Sequence, residues 1–189
     1  MTCIVGYVKN KKVYIGGDSA GVDGYDLTVR VDDKVFINED FIFGFTSSFR
    51  MGQILRYNFV PPRRKENITD EQYLYGDFIN KIIEAFKEKY YAKIESNQIE
   101  GGTFLFGYNG KLYYVGPDFQ IGRSIKKYDS IGCGHQYALG CLYALEKYKL
   151  RSEEKNDCIM STKEKVEMAL EAAETFSTGV RRPFKIISK

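Results

Sequence analysis

The chain has 189 residues, 43% hydrophobic and 28% charged, a composition that supports a full apolar core and excludes a disordered or fibrous chain. Its formal net charge of +3 is too small to point to nucleic acid or to a membrane surface. No apolar run approaches a membrane span and the alternating start is unlike a secretion signal, so one domain over residues 1–189, cytoplasmic and not membrane-bound, is expected.

The opening residues read as a strand. Ile4, Val5, Tyr7 and Val8 are β-formers, residues 9–12 read as a turn, and residues 13–16 continue as a second strand. Residues 35–37 and 41–45 form two more strands, separated by the polar turn Asn38-Glu39-Asp40. A short helix over 49–57 stops before Pro61-Pro62. The stretch Pro61-Pro62-Arg63-Arg64-Lys65 reads as a solvated basic loop. Thr69 and Gln72 have capping-box spacing, and behind them Tyr75, Phe78, Ile79, Ile82 and Phe86 recur at helical steps. Asn109-Gly110 sits between two β-rich runs, 103–108 and 111–115, which is a strong hairpin signal.

Two further helices are expected late in the chain. Residues 136–149 carry Ala138, Cys141, Leu142 and Leu145 on one side. Ser161 and Glu164 form a second capping box ahead of the stripe Val166, Ala169, Leu170, Ala173 and Phe176. Residues 147–155 read as a mixed-charge loop, and 184–187 as a last strand. Strands, two helices, strands, two helices and a strand, with tight turns implying antiparallel pairing, give an α+β fold: a four-layer αββα sandwich of two antiparallel sheets covered by helices.

The four cysteines, Cys3, Cys133, Cys141 and Cys158, show no paired spacing, and His135 is the single histidine. A zinc site would need closely spaced ligands, so no metal and no other cofactor is expected, and unpaired thiols suit a reducing compartment. The Cys133/His135 pair could in principle be nucleophile and base, but two residues apart at a helix start their side chains diverge.

Thr2 carries the more pointed signal. Cleavage behind Met1 would leave a threonine with a free α-amino group beside its own hydroxyl, one of the few ways in which a single residue is both nucleophile and base. In "YIGGDSAG" a strand runs out on Gly16-Gly17 and then offers Asp18; in "VDDKVF" Lys34 stands just before another strand. A lysine beside the threonine amine would disfavour its protonated form, and an aspartate would keep the lysine charged and oriented.

"TCIVGYV", "GGDSA", "DDKVF", "IFGFTSS", "SIGCGHQYALGCLYAL" and "ALEAAETFSTG" together resemble the proteasome β-subunits and HslV-type peptidases of the N-terminal-nucleophile hydrolase superfamily over almost the whole chain. Counted from Thr2, Asp18 and Lys34 fall at the family spacing without a gap. The resemblance implies Thr2 as nucleophile, Lys34 as the residue that lowers its pKa, Asp18 as the lysine's partner, and the Ser48 amide as an oxyanion donor. Cys133 stands where the family has a supporting serine, Glu174 where it has an aspartate, and Ser177 follows. By the same register Gly21, Asp32, Thr46 and Arg50 would surround the substrate's first side-chain pocket, with an Asp32–Arg50 salt bridge as the plain alternative to charge recognition.

The function so implied is a self-compartmentalising threonine peptidase that forms an acyl-enzyme. It would assemble with itself into a ring or an open helical array, act on peptide or protein substrates, and work with an ATP-dependent unfoldase. A proteasome-like scaffold without hydrolysis and an amidase for small molecules are the alternatives. Aromatic residues at 49, 57, 73 and 75 exceed what one helix face buries and suit subunit contacts.

Overall fold

The computed structural model describes residues 1–152 and 160–189. Strands β1 (Cys3–Lys9) and β2 (Lys12–Gly17) form a hairpin whose turn residues Asn10 and Lys11 both take positive φ, 52° and 60°. That geometry matches the right-handed twist of the flanking strands. A second, solvent-exposed hairpin follows, β3 (Ala20–Asp23) and β4 (Asp26–Val29), which the sequence reading leaves out. Then come β5 (Val35–Asn38) and β6 (Phe41–Phe45), paired antiparallel.

Helix α1 (Phe49–Tyr57) starts on the Ser48 side chain, which accepts from the Arg50 amide. The capping box at Thr69 is complete and opens α2 (Asp70–Tyr73). One wide π-turn over Leu74–Phe78 then separates α2 from α3 (Ile79–Glu88), so the stripe expected as one helix is interrupted. A small exposed hairpin, β7 (Lys93–Glu95) and β8 (Gln98–Glu100), precedes β9 (Phe104–Tyr108) and β10 (Lys111–Val115), which turn at Asn109-Gly110 as expected. The chain continues through β11 (Ile121–Gly122), β12 (Tyr128–Gly132), α4 (His135–Ser152), α5 (Thr162–Phe176) and β13 (Lys185–Ser188). The expected helix 136–149 and loop 147–155 overlap; α4 runs on through residues 150–152, expected only as loop. Residues 153–155 of that expected loop, and Cys158, lie outside the described residues.

The strands sort into two antiparallel sheets, one in the order β12-β1-β2-β13 and the other β11-β10-β9-β6-β5. Apolar faces dictate the stacking. Ile4, Val13 and Ile15 of the first sheet meet Val35, Ile42 and Leu105 of the second. The other face of the second sheet packs an aromatic core against α1 and α3, with the Phe41 ring 4.5 Å from Phe78 and 4.6 Å from Tyr108. Each such ring, fully buried, contributes about 1.5–3 kcal/mol of hydrophobic stabilisation. The outer face of the first sheet packs Val5 and Tyr7 against Leu142, Val166 and Leu170 of α4 and α5. The layers therefore run helix, sheet, sheet, helix, as the element order implies. Of the aromatics expected at subunit contacts, Tyr73 is instead in the core, while Tyr57 and Tyr75 are exposed.

Candidate active site

Thr2 immediately precedes β1, Asp18 immediately follows β2, and both lie at one end of the first sheet. Lys34 belongs to the second sheet, where its carbonyl accepts the Phe45 amide at 3.1 Å. Its side chain crosses to the first sheet. The Lys34 Nζ donates to Thr2 Oγ1 at 2.8 Å, to Asp18 Oδ1 at 2.9 Å and to the Ala20 carbonyl at 2.6 Å. Three acceptors match the three N–H bonds of an ammonium. Thr2, Asp18 and Lys34 are only 4%, 2% and 2% exposed.

Asp18 is itself held by the backbone. Its Oδ1 accepts from the Cys3 amide at 3.0 Å, and its Oδ2 from the Ala20 amide at 2.8 Å and the Arg181 amide at 3.3 Å. Burial pulls the Lys34 ammonium below its ordinary pKa, and the Asp18 charge and hydrogen bond work against that fall. The neighbouring Cys3 thiol is pushed up to about 12, chiefly by burial, so it stays protonated and inert.

The Thr2 amide donates to Cys133 Sγ at 3.3 Å, and the Thr2 hydroxyl donates to the Met1 carbonyl. Cys133 Sγ also lies 3.3 Å from Ser177 Oγ and 3.4 Å from the Thr2 carbonyl. This contact depends on Gly132, which ends β12 at φ 95° with the Thr2 carbonyl where a Cβ would stand. His135 turns away, its Nδ1 on the Gly132 carbonyl at 2.6 Å, so Cys133 has no histidine partner for thiol catalysis.

Two of the residues linked to the site by resemblance stand differently from expectation. Glu174 does not join this cluster. Its carboxylate binds the Arg182 amide and guanidinium, each at 2.8 Å, one helical turn before Ser177. The Ser48 amide is already committed within the backbone. Ser47 takes a left-handed φ of 69°, and the tight turn it makes folds the Ser48 N–H onto the Thr46 carbonyl at 2.8 Å.

A cleft of about 310 Å³ opens beside Thr2 and Lys34. Gly21 and Thr46 line it, and Asp32 and Arg50 do not. Asp32 pairs with Arg30 rather than with Arg50, the Arg30 Nε at 2.7 Å and Nη2 at 2.5 Å from Asp32 Oδ2. The Arg30 guanidinium lies over the Phe49 ring, 3.8 Å from its centroid. Asp23, Asp26 and Arg30, all from the β3–β4 hairpin and its exit, line the cleft and escape the sequence reading. Asp23-Gly24 followed by alternating Leu27 and Val29 is the signal that could have found them. Among the described residues no group of His, Cys, Asp or Glu side chains could hold a metal ion, and no helix is long and apolar enough to cross a membrane.

No protein-family model matches the chain, and no curated protein matches it. Solved structures do. BPH of Thiobacillus denitrificans, in complex with epoxomicin, superimposes with a TM-score of 0.74 at 18% identity, covering 99% of this chain and 97% of that one. A second structure of Thiobacillus denitrificans BPH gives 0.73, also at 18% identity over 99% of this chain and 97% of that one. Eukaryotic HslV from Trypanosoma brucei gives 0.66 at 14% identity, covering 98% of each chain. Over nearly its whole length, therefore, this chain has the α+β fold of BPH and HslV, the one its resemblance to proteasome β-subunits and HslV-type peptidases implies.

Proposed function

We propose that the chain is a threonine hydrolase of peptide bonds, with Thr2 as nucleophile once the Met1–Thr2 bond has been cut. The observation that carries this reading is the buried Lys34 Nζ, 2.8 Å from Thr2 Oγ1 and held there by Asp18. A fixed ammonium beside a hydroxyl stabilises its oxyanion form and lowers the barrier to attack.

The freed Thr2 amine takes the hydroxyl proton as Oγ1 bonds to the substrate carbonyl carbon. The proton passes to the leaving amine as the C–N bond breaks, which leaves an ester on Oγ1. Water then gives a proton to the same amine and attacks the ester, releasing the acid and restoring the hydroxyl. Cys133 and Ser177 hold the amine in place. The oxyanion faces the start of α1, where first-turn N–H groups lack helical partners and the helix dipole favours negative charge. Glu174 supports the segment at Arg182 and takes no part in the chemistry. Self-assembly that encloses the cleft, with an ATP-dependent unfoldase feeding it, completes the proposal.

Epoxomicin, present in the BPH complex, is the probe. Chain lacking Met1 gains one inhibitor mass on the peptide that begins with Thr2, and Lys34→Ala gains none. Absence of the adduct on a folded protein with a free Thr2 overturns the hydrolase reading. It would leave the second reading, a non-catalytic scaffold, which the commitment of the Ser48 amide to the Thr46 carbonyl favours.

A further inference from the structure

The cleft beside Thr2 holds charges that the proposed chemistry does not use. Four charged side chains line it: Asp23, Asp26, Arg30 and Lys34. Two are already neutralised. Lys34 is paired with Asp18, and Arg30 is paired through two N–H groups with Asp32 and stacked on Phe49. Asp23 and Asp26 have no ion-pair partner among the described residues, and both are exposed. The cleft is therefore electronegative towards whatever enters it.

Their placement sharpens the point. Asp23 and Asp26 are directly opposed across the hairpin, as the last pair before its turn. Like charges facing each other across a strand pair repel, and a cation set between them relieves the repulsion. Val22 and Phe45 also line the cleft and give it an apolar wall. An apolar stem leading to a cationic head is the form of a lysine or arginine side chain. Among the described residues no third His, Cys, Asp or Glu side chain joins these two carboxylates to hold a metal ion.

We propose that this cleft selects a basic side chain, lysine or arginine, on the acyl side of the bond that Thr2 attacks. The inference rests on the threonine-hydrolase reading, and it names the substrate class of that same site. Asp23 and Asp26 bind the cationic head, while Arg30, neutralised by Asp32, attracts an acidic side chain no more than a neutral wall would.

The test uses three peptides of one sequence that differ only in the acyl residue, lysine, norleucine or glutamate, each ending in a fluorogenic amide. With protein lacking Met1, kcat/KM for the lysine peptide exceeds that for norleucine about tenfold at low salt. The preference shrinks towards unity at high salt, as screening of exposed charge requires. Asp23→Asn/Asp26→Asn abolishes it, and Asp23→Lys/Asp26→Lys turns it towards glutamate, a reversal that misfolding cannot mimic. Equal or reversed preference in the unaltered protein, or a lysine preference that survives both double variants, overturns the inference. If none of the peptides is cleaved, the hydrolase reading fails by itself. Fluorescence anisotropy of the same sequences, labelled and lacking the fluorogenic amide, then decides on the cleft. Tighter binding of the lysine peptide, lost in Asp23→Asn/Asp26→Asn, sustains its selectivity, and equal binding of all three overturns it.

Discussion

Replacing Lys34 by methionine removes one member of an ion pair that is almost wholly out of water, along with three hydrogen bonds, while keeping the volume of the stem. Breaking a buried pair in this way costs about 3–5 kcal/mol, because the other charge is stranded. Asp18 retains three backbone N–H donors, from Cys3, Ala20 and Arg181, so the loss falls at the lower end, about 3 kcal/mol. With a urea slope of about 2.5 kcal/mol per molar, the unfolding midpoint drops by about 1.2 M. Asp18→Asn/Lys34→Met removes the stranded charge, but its amide NH2 then faces backbone N–H groups from which the carboxylate accepted, so it recovers none of that loss. Alkaline pH gives a second readout. Burial holds the folded-state pKa of Lys34 below 10.5, so between the two values the unfolded chain binds more protons and stability rises with pH. That gain is absent in Lys34→Met, so the difference between parent and variant widens towards pH 10.5. A Lys34→Met midpoint within about 0.2 M of the parent, which corresponds to about 0.5 kcal/mol, or a double variant as stable as the parent, refutes the buried-pair reasoning.

Gly132→Ala puts a Cβ against the Thr2 carbonyl at a left-handed backbone position, so stability falls by about 2 kcal/mol and the Thr2–Cys133 contact is lost; urea unfolding and the epoxomicin adduct measure the two effects. Tyr113→Phe removes the buried hydroxyl that has no hydrogen-bond partner among the described residues, which stabilises the protein by about 1 kcal/mol, or about 2–4 °C in Tm. Burial pushes the Tyr113 phenol from 10.0 up to about 12, so its share of stability is complete below pH 10 and is lost as pH rises towards 12; Tyr113→Phe shows a shallower alkaline loss in pH-dependent thermal melts.

Much of the site was legible because its members are tied to local features. Asp18 follows two glycines at a strand end, Lys34 stands at a strand start, and Thr2 leads into the first strand. Two capping boxes and the Asn109-Gly110 turn were equally local. Long-range pairings were not legible. Strand β12 reads Tyr-Asp-Ser-Ile-Gly, with too little apolar alternation to announce itself, yet it pairs with β1 across more than a hundred residues of sequence. Its Ser130 is buried because its hydroxyl finds the Ile4 carbonyl at 2.7 Å. The β3–β4 hairpin buries only Ala20 fully, so beyond Asp23-Gly24 and the short Leu27/Val29 alternation no apolar stripe announces it, and with it went Asp23, Asp26 and Arg30. Asp32 and Arg50 do not pair for a local reason: Arg30, two residues from Asp32 in the chain, holds its carboxylate, while Arg50 stands eighteen residues on. Ser48 kept its place at the cleft but not its free amide, because the backbone sign at Ser47 is invisible in a sequence of two serines.

Thr2 and Asp18 belong to one sheet and Lys34 to the other. A chain whose sheets have formed but have not yet docked has a threonine without its ammonium, for the lysine is still on the wrong side of an open seam. The same holds in reverse when heat or denaturant parts the layers. On the threonine-hydrolase reading, reactivity is thus conditional on a finished tertiary structure, and a newly made or damaged copy is disarmed by its own incompleteness, with no inhibitor required.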